Sequence, residues 1–539
     1  MGDVMGGVMS PTTATLPSGG ASFDLLVIGG GITGAGIALE AARRGLQVLL
    51  VESRDFAWGT SSRSSKLVHG GLRYLREGAI GLTRESVRER RHLLHDARGL
   101  VETQSFLVNH YAGRSPSRGL LGLGLTVYDW LGQQHTRAFH SASAVGQLSP
   151  HTRTSGLLGG STYLDAKTDD ARLVWRVLQE ARSLGAEVRN YVRVERLLRH
   201  DGAVCGAEMV SEDGTRFSVQ ASAVVNATGV WADGLRRDMG AAPCLRPLRG
   251  SHLVFPLWRL PVAQSISLFH PRDGRPVFAF PWEGVALVGT TDLDHRTALD
   301  EEPGITPAEV SYLLEALRFA FPQLGLQREH ILSTYAGVRP VVSSGPDVDP
   351  SKETRDHIVL NEQGLITVTG GKLTTFRAIA LDALRHVAQL LPQRALDTRT
   401  ERSIFLAVAP GPALQALPAP QQQRLIGRHG AWAEHLVATA IPGECQNVAG
   451  TTLWWAELRW AARHEAVHHL DDLLLRRTRL GLLLPQGAAE LLADTSPLRA
   501  MVTSELGWSD SKWQHECTRY RALIERSYSV PANEPGASA

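Results

Sequence analysis

The period of the apolar positions changes along this chain, and each change marks a unit. Residues 23–28 (FDLLVI) are almost continuously apolar, the pattern of a strand buried on both faces of a parallel sheet. A glycine-rich turn follows at 29–34, then a stretch of good helix formers at 35–44 closed by Gly45, then a second apolar run at 47–51 (QVLLV). Strand, turn, helix and strand in that order predict a βαβ unit, which binds ligands at the carboxyl ends of its strands.

Three later stretches read as strands of the same sheet: 187–194, 223–227 and 364–369. The last two run directly into Thr228-Gly229 and Gly370-Gly371. Between them the pattern switches to short alternating runs, as at 251–256, 277–281 and 285–290. That switch predicts an antiparallel substrate domain inserted at roughly 241–345 within an α/β, Rossmann-like unit covering 23–385. Residues 386–539 then read as a linker, Pro-rich at 409–421, and a helical C-terminal domain. Residues 1–22, rich in Gly, Ser, Thr and Pro and lacking Lys and Arg, read as a disordered leader.

Composition narrows the function classes. Lys plus Arg is 56 against 54 for Asp plus Glu, a net charge of +2, which argues against nucleic acid as a partner. The four cysteines stand far apart with no C-x-x-C pair, which argues against a disulfide framework, an iron–sulfur cluster or a cysteine zinc site. No apolar run reaches the roughly 18 residues of a membrane helix, so any membrane contact is peripheral. Residues 120–131 (LLGLGLTVYDWL) fit an interfacial helix and an ordinary core helix equally.

The chemistry begins at Gly29, Gly31 and Gly34, a G-x-G-x-x-G between strand and helix. Glycine lets the backbone approach a pyrophosphate, and the helix N-terminus supplies N–H donors. Glu52, eighteen residues beyond Gly34, can hold ribose hydroxyls and repels a 2′-phosphate, which disfavours NADP. A single such fingerprint, followed closely by the hydroxyl-rich loop Thr60-Ser61-Ser62-Arg63-Ser64-Ser65-Lys66, favours FAD over NAD; taken alone the loop equally suits a solvated turn.

Residues 60–74, TSSRSSKLVHGGLRY, resemble the signature of FAD-dependent glycerol-3-phosphate dehydrogenases. Further segments agree in the same order, among them Asn226-Ala227-Thr228-Gly229, Arg249-Gly250-Ser251-His252, Gly337-Val338-Arg339-Pro340, Thr354-Arg355-Asp356 and Gly370-Gly371-Lys372-Leu373-Thr374-Thr375. The match continues more weakly through Arg476-Arg477-Thr478-Arg479. The resemblance implies an amino-acid-oxidase-like fold and oxidation of sn-glycerol 3-phosphate to dihydroxyacetone phosphate by hydride transfer to FAD. It also implies electrons passed to a membrane quinone, and a place on the inner face of the cytoplasmic membrane. An oxygen-using oxidase and another FAD-dependent hydroxy or amino acid oxidoreductase are the alternatives. The sequence selects no oligomeric state and leaves a homo-oligomer open.

Within that resemblance, Arg73, Arg339 and Arg355 suit a substrate phosphate, with Tyr74 and Lys372 as further contacts. His252 and His69 are the two candidate bases, His252 preferred; Arg339 and Lys372 are the candidate stabilisers of developing charge. Besides the glycines and Glu52, cofactor contacts are expected from Thr60, Ser61, Ser62, Lys66, Val194, Ala227, Gly229, Gly371, Lys372, Leu373 and Thr374. His464-Glu465-Ala466-Val467-His468 is a formal H-E-x-x-H with Glu490 downstream. Two histidines one turn apart on a charged helix are commonplace, and no metal site is expected.

Overall fold

The computed structural model describes residues 21–76, 78–113, 117–343, 345, 353, 356–398 and 403–532, apart from the side chains of Arg73 and Arg76. The expected leader lies outside this set up to residue 20, and Ser22 already belongs to the first strand.

Two mixed sheets organise the chain. In the first, Leu365–Gly370, Arg216–Asn226, Ser22–Ile28, Val48–Val51 and Glu187–Arg189 run parallel in that spatial order. His357–Glu362 adds an antiparallel edge, and the hairpin of Val192–His200 and Ala203–Ser211 joins beside Arg216–Asn226. The central strands are apolar on both faces because Ile32–Ala42, Asp170–Ser183 and Phe376–Leu390 cover one side and the hairpin covers the other. Asp169 caps Asp170–Ser183 by accepting from the Arg172 N–H.

The second sheet has ten strands. Six lie within 241–345, as the alternating pattern predicts, but Leu67–Val68, Val101–Tyr111, Ala138–His140 and Leu157–Thr168 also belong to it. The substrate sheet therefore draws on chain well before 241. Val101–Tyr111 and Leu157–Thr168 form its longest hairpin, with Val101–Tyr111 parallel to Ser265–Phe269. The 45 residues or so between the hairpin strands separate them too far for a hairpin to be read locally.

The C-terminal helices pack on the back of this sheet in one shared core. Leu458, Leu470, Leu473, Leu474, Leu480 and Trp513 lie with Val254, Trp282, Leu287 and Tyr335. The Pro-rich segment is not a bare linker: Pro412–Gln415 and Ala419–His429 are helices with proline in their first turns, where no intrahelical N–H is needed.

Candidate functional site

At the carboxyl end of Ser22–Ile28 the chain turns through Gly29 at φ +114°, where a Cβ would stand 2.5 Å from the Ala227 carbonyl oxygen. A Cβ on Gly34 would stand 1.9 Å from the Gly29 carbonyl oxygen. The turn closes only because both positions lack side chains. The Gly30 N–H donates to Glu52 Oε2 at 2.7 Å, and the Arg54 N–H to Oε1 at 2.9 Å. Burial pushes the Glu52 carboxyl up while these donors pull it down. Ser53 Oγ also donates to Oε1 at 3.2 Å, and since a carboxylate accepts about four hydrogen bonds, room remains for an expected ribose hydroxyl. The first N–H of the helix, on Ile32, donates to Ser61 Oγ at 3.0 Å, which ties residues 60–66 to the glycine turn.

The same loop lies across a face of the second sheet. Leu245–Pro256 pairs antiparallel with Ser333–Val342, setting Leu248 opposite Arg339, Gly250 opposite Gly337 and His252 opposite Tyr335. Alternate residues share a face, so Arg339 and His252 flank two facing glycines. A Cβ on Gly337 would meet the Arg63 carbonyl oxygen at 2.4 Å, and one on Gly250 would meet Arg339 Nη2 at 2.3 Å. Thr60 Oγ1 donates to the Val338 carbonyl, Tyr335 OH to the Ser64 carbonyl at 3.0 Å, and Ser65 Oγ lies 2.9 Å from His252 Nε2.

His252 is fully buried, stacked on Tyr335 at 4.5 Å, and among the described residues its Nδ1 has no hydrogen-bond partner. Burial, and then the nearby charges of Arg339 and Lys66, hold its pKa well below the ordinary imidazole value. The ring is therefore neutral near pH 7, with a lone pair able to accept a proton. Arg339 donates to Asp292 Oδ1 at 2.9 Å and to Thr290 Oγ1 at 3.2 Å, which fixes the plane of its guanidinium.

The comparisons with known proteins agree with this geometry. Residues 24–377 match the family of FAD dependent oxidoreductases, and residues 377–513 match the C-terminal domain of alpha-glycerophosphate oxidase. Glycerol-3-phosphate dehydrogenase 2 of Mycobacterium tuberculosis is 35% identical over 93% of this chain and 88% of its own length. Aerobic glycerol-3-phosphate dehydrogenase of Bacillus subtilis is 39% identical over 69% of this chain and 67% of its own. The chain belongs to the FAD-dependent glycerol-3-phosphate dehydrogenase family. The crystal structure of the Bacillus halodurans glycerol-3-phosphate dehydrogenase complexed with FAD superposes with a TM-score of 0.74. It is 28% identical and covers 94% of this chain and 95% of that one. The cofactor of this oxidoreductase is FAD.

The remaining site residues of this dehydrogenase-family chain fall into a second group. Gly370 and Gly371, at φ +81° and +76°, swing the chain from the parallel strand into Leu373–Thr375 and Phe376–Leu390. Lys372, at the start of that helical stretch, places Nζ 3.9 Å over the Tyr74 ring and donates to Ser86 Oγ at 2.8 Å. The Thr374 hydroxyl donates to the His69 carbonyl at 3.3 Å, and the His69 ring lies 6.4 Å from that of Tyr74. His252 thus meets residues 60–69 at Ser65, and His69 lies at their end near Tyr74, over which Lys372 sits. Ala227 and Gly229 follow the end of Arg216–Asn226, with the Ala227 N–H donating to the Ile28 carbonyl at 2.8 Å. Val194 lies half-buried against the first sheet. Arg355 and the Arg73 side chain lie outside the described residues.

Two expectations change. Lys66, expected at the diphosphate, turns inward: Nζ is fully buried, 2.9 Å from Asp170 Oδ1 and 3.0 Å from the Ser62 carbonyl oxygen. Burial and the Arg479 charge lower its pKa to about 8. His464 and His468 do not share a helix, because Trp455–His464 ends there and Ala466 turns at φ +50°. His464 lies tilted against Trp460, Glu465 pairs with Arg172, and His468 reaches Glu212. Among the described residues no cluster of three His, Cys, Asp or Glu side chains is placed to hold a metal.

Proposed function

We propose that the chain oxidises sn-glycerol 3-phosphate to dihydroxyacetone phosphate and passes the electrons to a membrane quinone. The observation that carries the reading is the buried neutral His252, its Nδ1 unpartnered, beside the fixed fork of Arg339 on the sheet face that meets the flavin loop. The names of the relatives support the substrate. His252, held against Ser65 Oγ through Nε2, takes the proton of the C2 hydroxyl as hydride leaves C2. FAD, when bound, supplies the hydride acceptor. Arg339 holds the substrate phosphate or the oxygen that develops charge; Tyr74, Arg73 and Arg355 are the further phosphate contacts. Lys372, seated where a helix begins, offsets charge on the reduced cofactor or binds phosphate.

The membrane reading rests on Arg118–Gly132. Leu125 and Tyr128 pack inward, but Leu120, Leu123 and Trp130 are 64%, 66% and 75% exposed along one ridge. No helix among the described residues is long and apolar enough to cross a membrane. An apolar ridge with Arg118 at its start suits the lipid interface.

Arg339→Lys tests the site. Lys keeps the charge but not the planar fork. The variant is expected to fold, bind FAD and lose about 2–4 kcal/mol of transition-state stabilisation, roughly thirty-fold to several-hundred-fold in kcat/KM. Parental kinetics with glycerol 3-phosphate would place Arg339 outside the active site. In the parent, soluble quinones or phenazine dyes are expected to support turnover far faster than oxygen does. Stoichiometric peroxide at full rate would favour the oxidase alternative.

A further inference from the structure

Residues 60–66 are gripped from two sides, and only one is the nucleotide-binding unit. Ser61 and Thr60 anchor them to the glycine turn and the second sheet. Behind them stands Arg479, from the C-terminal helical region. Its Nη2 donates to the Ser62 carbonyl at 3.2 Å, and the same oxygen accepts from Lys66 Nζ. Its Nε donates to Asp169 Oδ1 at 2.9 Å, its Nη1 to the Leu475 carbonyl at 2.7 Å, and Nη2 also meets Asp170.

Asp170 returns the contact to the loop. Its Oδ2 accepts from the Ser64 N–H at 3.0 Å and from Ser64 Oγ at 2.7 Å. Nearby, Arg63 Nε lies 3.3 Å from the Tyr528 hydroxyl, and both groups contact Glu302. Arg479, Asp169 and Asp170 are no more than 2% exposed, so water does not compete for these bonds. A guanidinium with donors in a rigid fork can hold a carbonyl and two carboxylates in one fixed relation; an ammonium cannot.

We infer that Arg479 is a positioning residue of the flavin site. Through the Ser62 carbonyl and the Asp169–Asp170 pair it fixes residues 60–66, so that Ser61 meets the phosphate turn and Ser65 meets His252. The C-terminal helices thereby complete the cofactor site from behind. The link to His252 rests on the proposed function, whereas the link to FAD rests on the loop alone.

The test compares Arg479→Met with Arg428→Met. Arg428 also pairs with Asp169, at 3.0 Å, but its other partner is Glu283 and it contacts no residue of the loop. Both proteins are stripped of flavin and titrated with FAD, and the visible circular dichroism of bound flavin is recorded alongside thermal stability. Arg479→Met is expected to bind FAD about ten-fold to one-hundred-fold more weakly, with an altered dichroism band. Arg479→Lys is expected to recover part of both, and Arg428→Met to keep parental affinity and dichroism despite a comparable loss of stability. Parental affinity and dichroism in Arg479→Met, or equal changes in Arg428→Met, would overturn the assignment. Should Arg479→Met not fold, Arg479→Gln, which leaves Asp169 to Arg428 and Asp170 to Lys66, is read in the same way. None of these readouts needs substrate, so they fail independently of the glycerol 3-phosphate reading.

Discussion

The two sides of residues 60–66 are built from opposite materials. In front, the turn from Gly29 to Gly34 works by having nothing there: backbone packs on backbone, and the polar contacts are single N–H groups meeting Glu52 and Ser61. Behind, the chain packs full charges against each other. Asp55 receives Arg476 at 2.5 Å and Arg477 at 2.7 Å, Arg172 meets Glu465 at 2.8 Å, and Asp169 and Asp170 meet Arg479, all essentially without solvent. A glycine turn can be spoiled by one methyl group. A buried ion network tolerates no unmatched removal, because the partner left behind stays charged and dry. In front a single added methyl is enough to break the turn, whereas behind the ion network holds residues 60–66 and commits the C-terminal region to the rest.

The largest expected effect lies in front. Gly34→Ala sets a Cβ 1.9 Å from a carbonyl oxygen that belongs to the same turn, where no side chain can yield. Opening that overlap costs at least the ~3 kcal/mol upper range of ordinary overpacking, so FAD affinity should fall by more than about a hundred-fold. The C-terminal region should remain folded by circular dichroism. Parental FAD content in Gly34→Ala would remove the contrast at its stronger end.

A smaller effect lies behind, and it appears as pH dependence. Burial alone would raise the Glu465 carboxyl, but Arg172 first and then His429 bring it down to about 2 from an ordinary 4.5. A depressed carboxylate contributes stability that is full above the unfolded value and lost as pH falls through the folded one. Stability should thus decline from about pH 5 towards pH 2, with Glu465 accounting for about 3 kcal/mol of the loss. Glu465→Gln should lower stability at neutral pH, since Arg172 stays buried beside it, and should flatten that acid decline. An unchanged decline in denaturant titrations at pH 3 to 7 would show that this pair does not carry the interface.

The same contrast explains what was legible in the sequence. Glycine spacing, apolar runs and strand ends are local, so the parallel strands at 22–28, 48–51 and 365–370 and the turn residues Gly29, Gly31 and Gly34 could be read in place. The alternating runs at 251–256 and 285–289 gave the antiparallel sheet, but its hairpin of Val101–Tyr111 and Leu157–Thr168 is closed by distant chain and was missed. Lys66 carried the wrong expectation because a lysine in a hydroxyl-rich loop looks solvated until Asp170, a hundred residues on, claims it. Arg476, Arg477 and Arg479 look like an ordinary charged helix edge, and only tertiary structure turns them inward. Besides the weak family match at these residues, their adjacency to the apolar run Leu473-Leu474-Leu475 was a hint, since exposed charge seldom sits beside so continuous a core.

The central claim is that this FAD site oxidises sn-glycerol 3-phosphate, and anaerobic mixing tests it most directly. Purified holoprotein is mixed with sn-glycerol 3-phosphate in the absence of oxygen or any other acceptor, and the visible band of oxidised flavin is followed in time. The account predicts a fast, saturable loss of that band, with one dihydroxyacetone phosphate formed per flavin and no reaction with the opposite enantiomer. A flavin band that stays oxidised in fully FAD-loaded protein would contradict it.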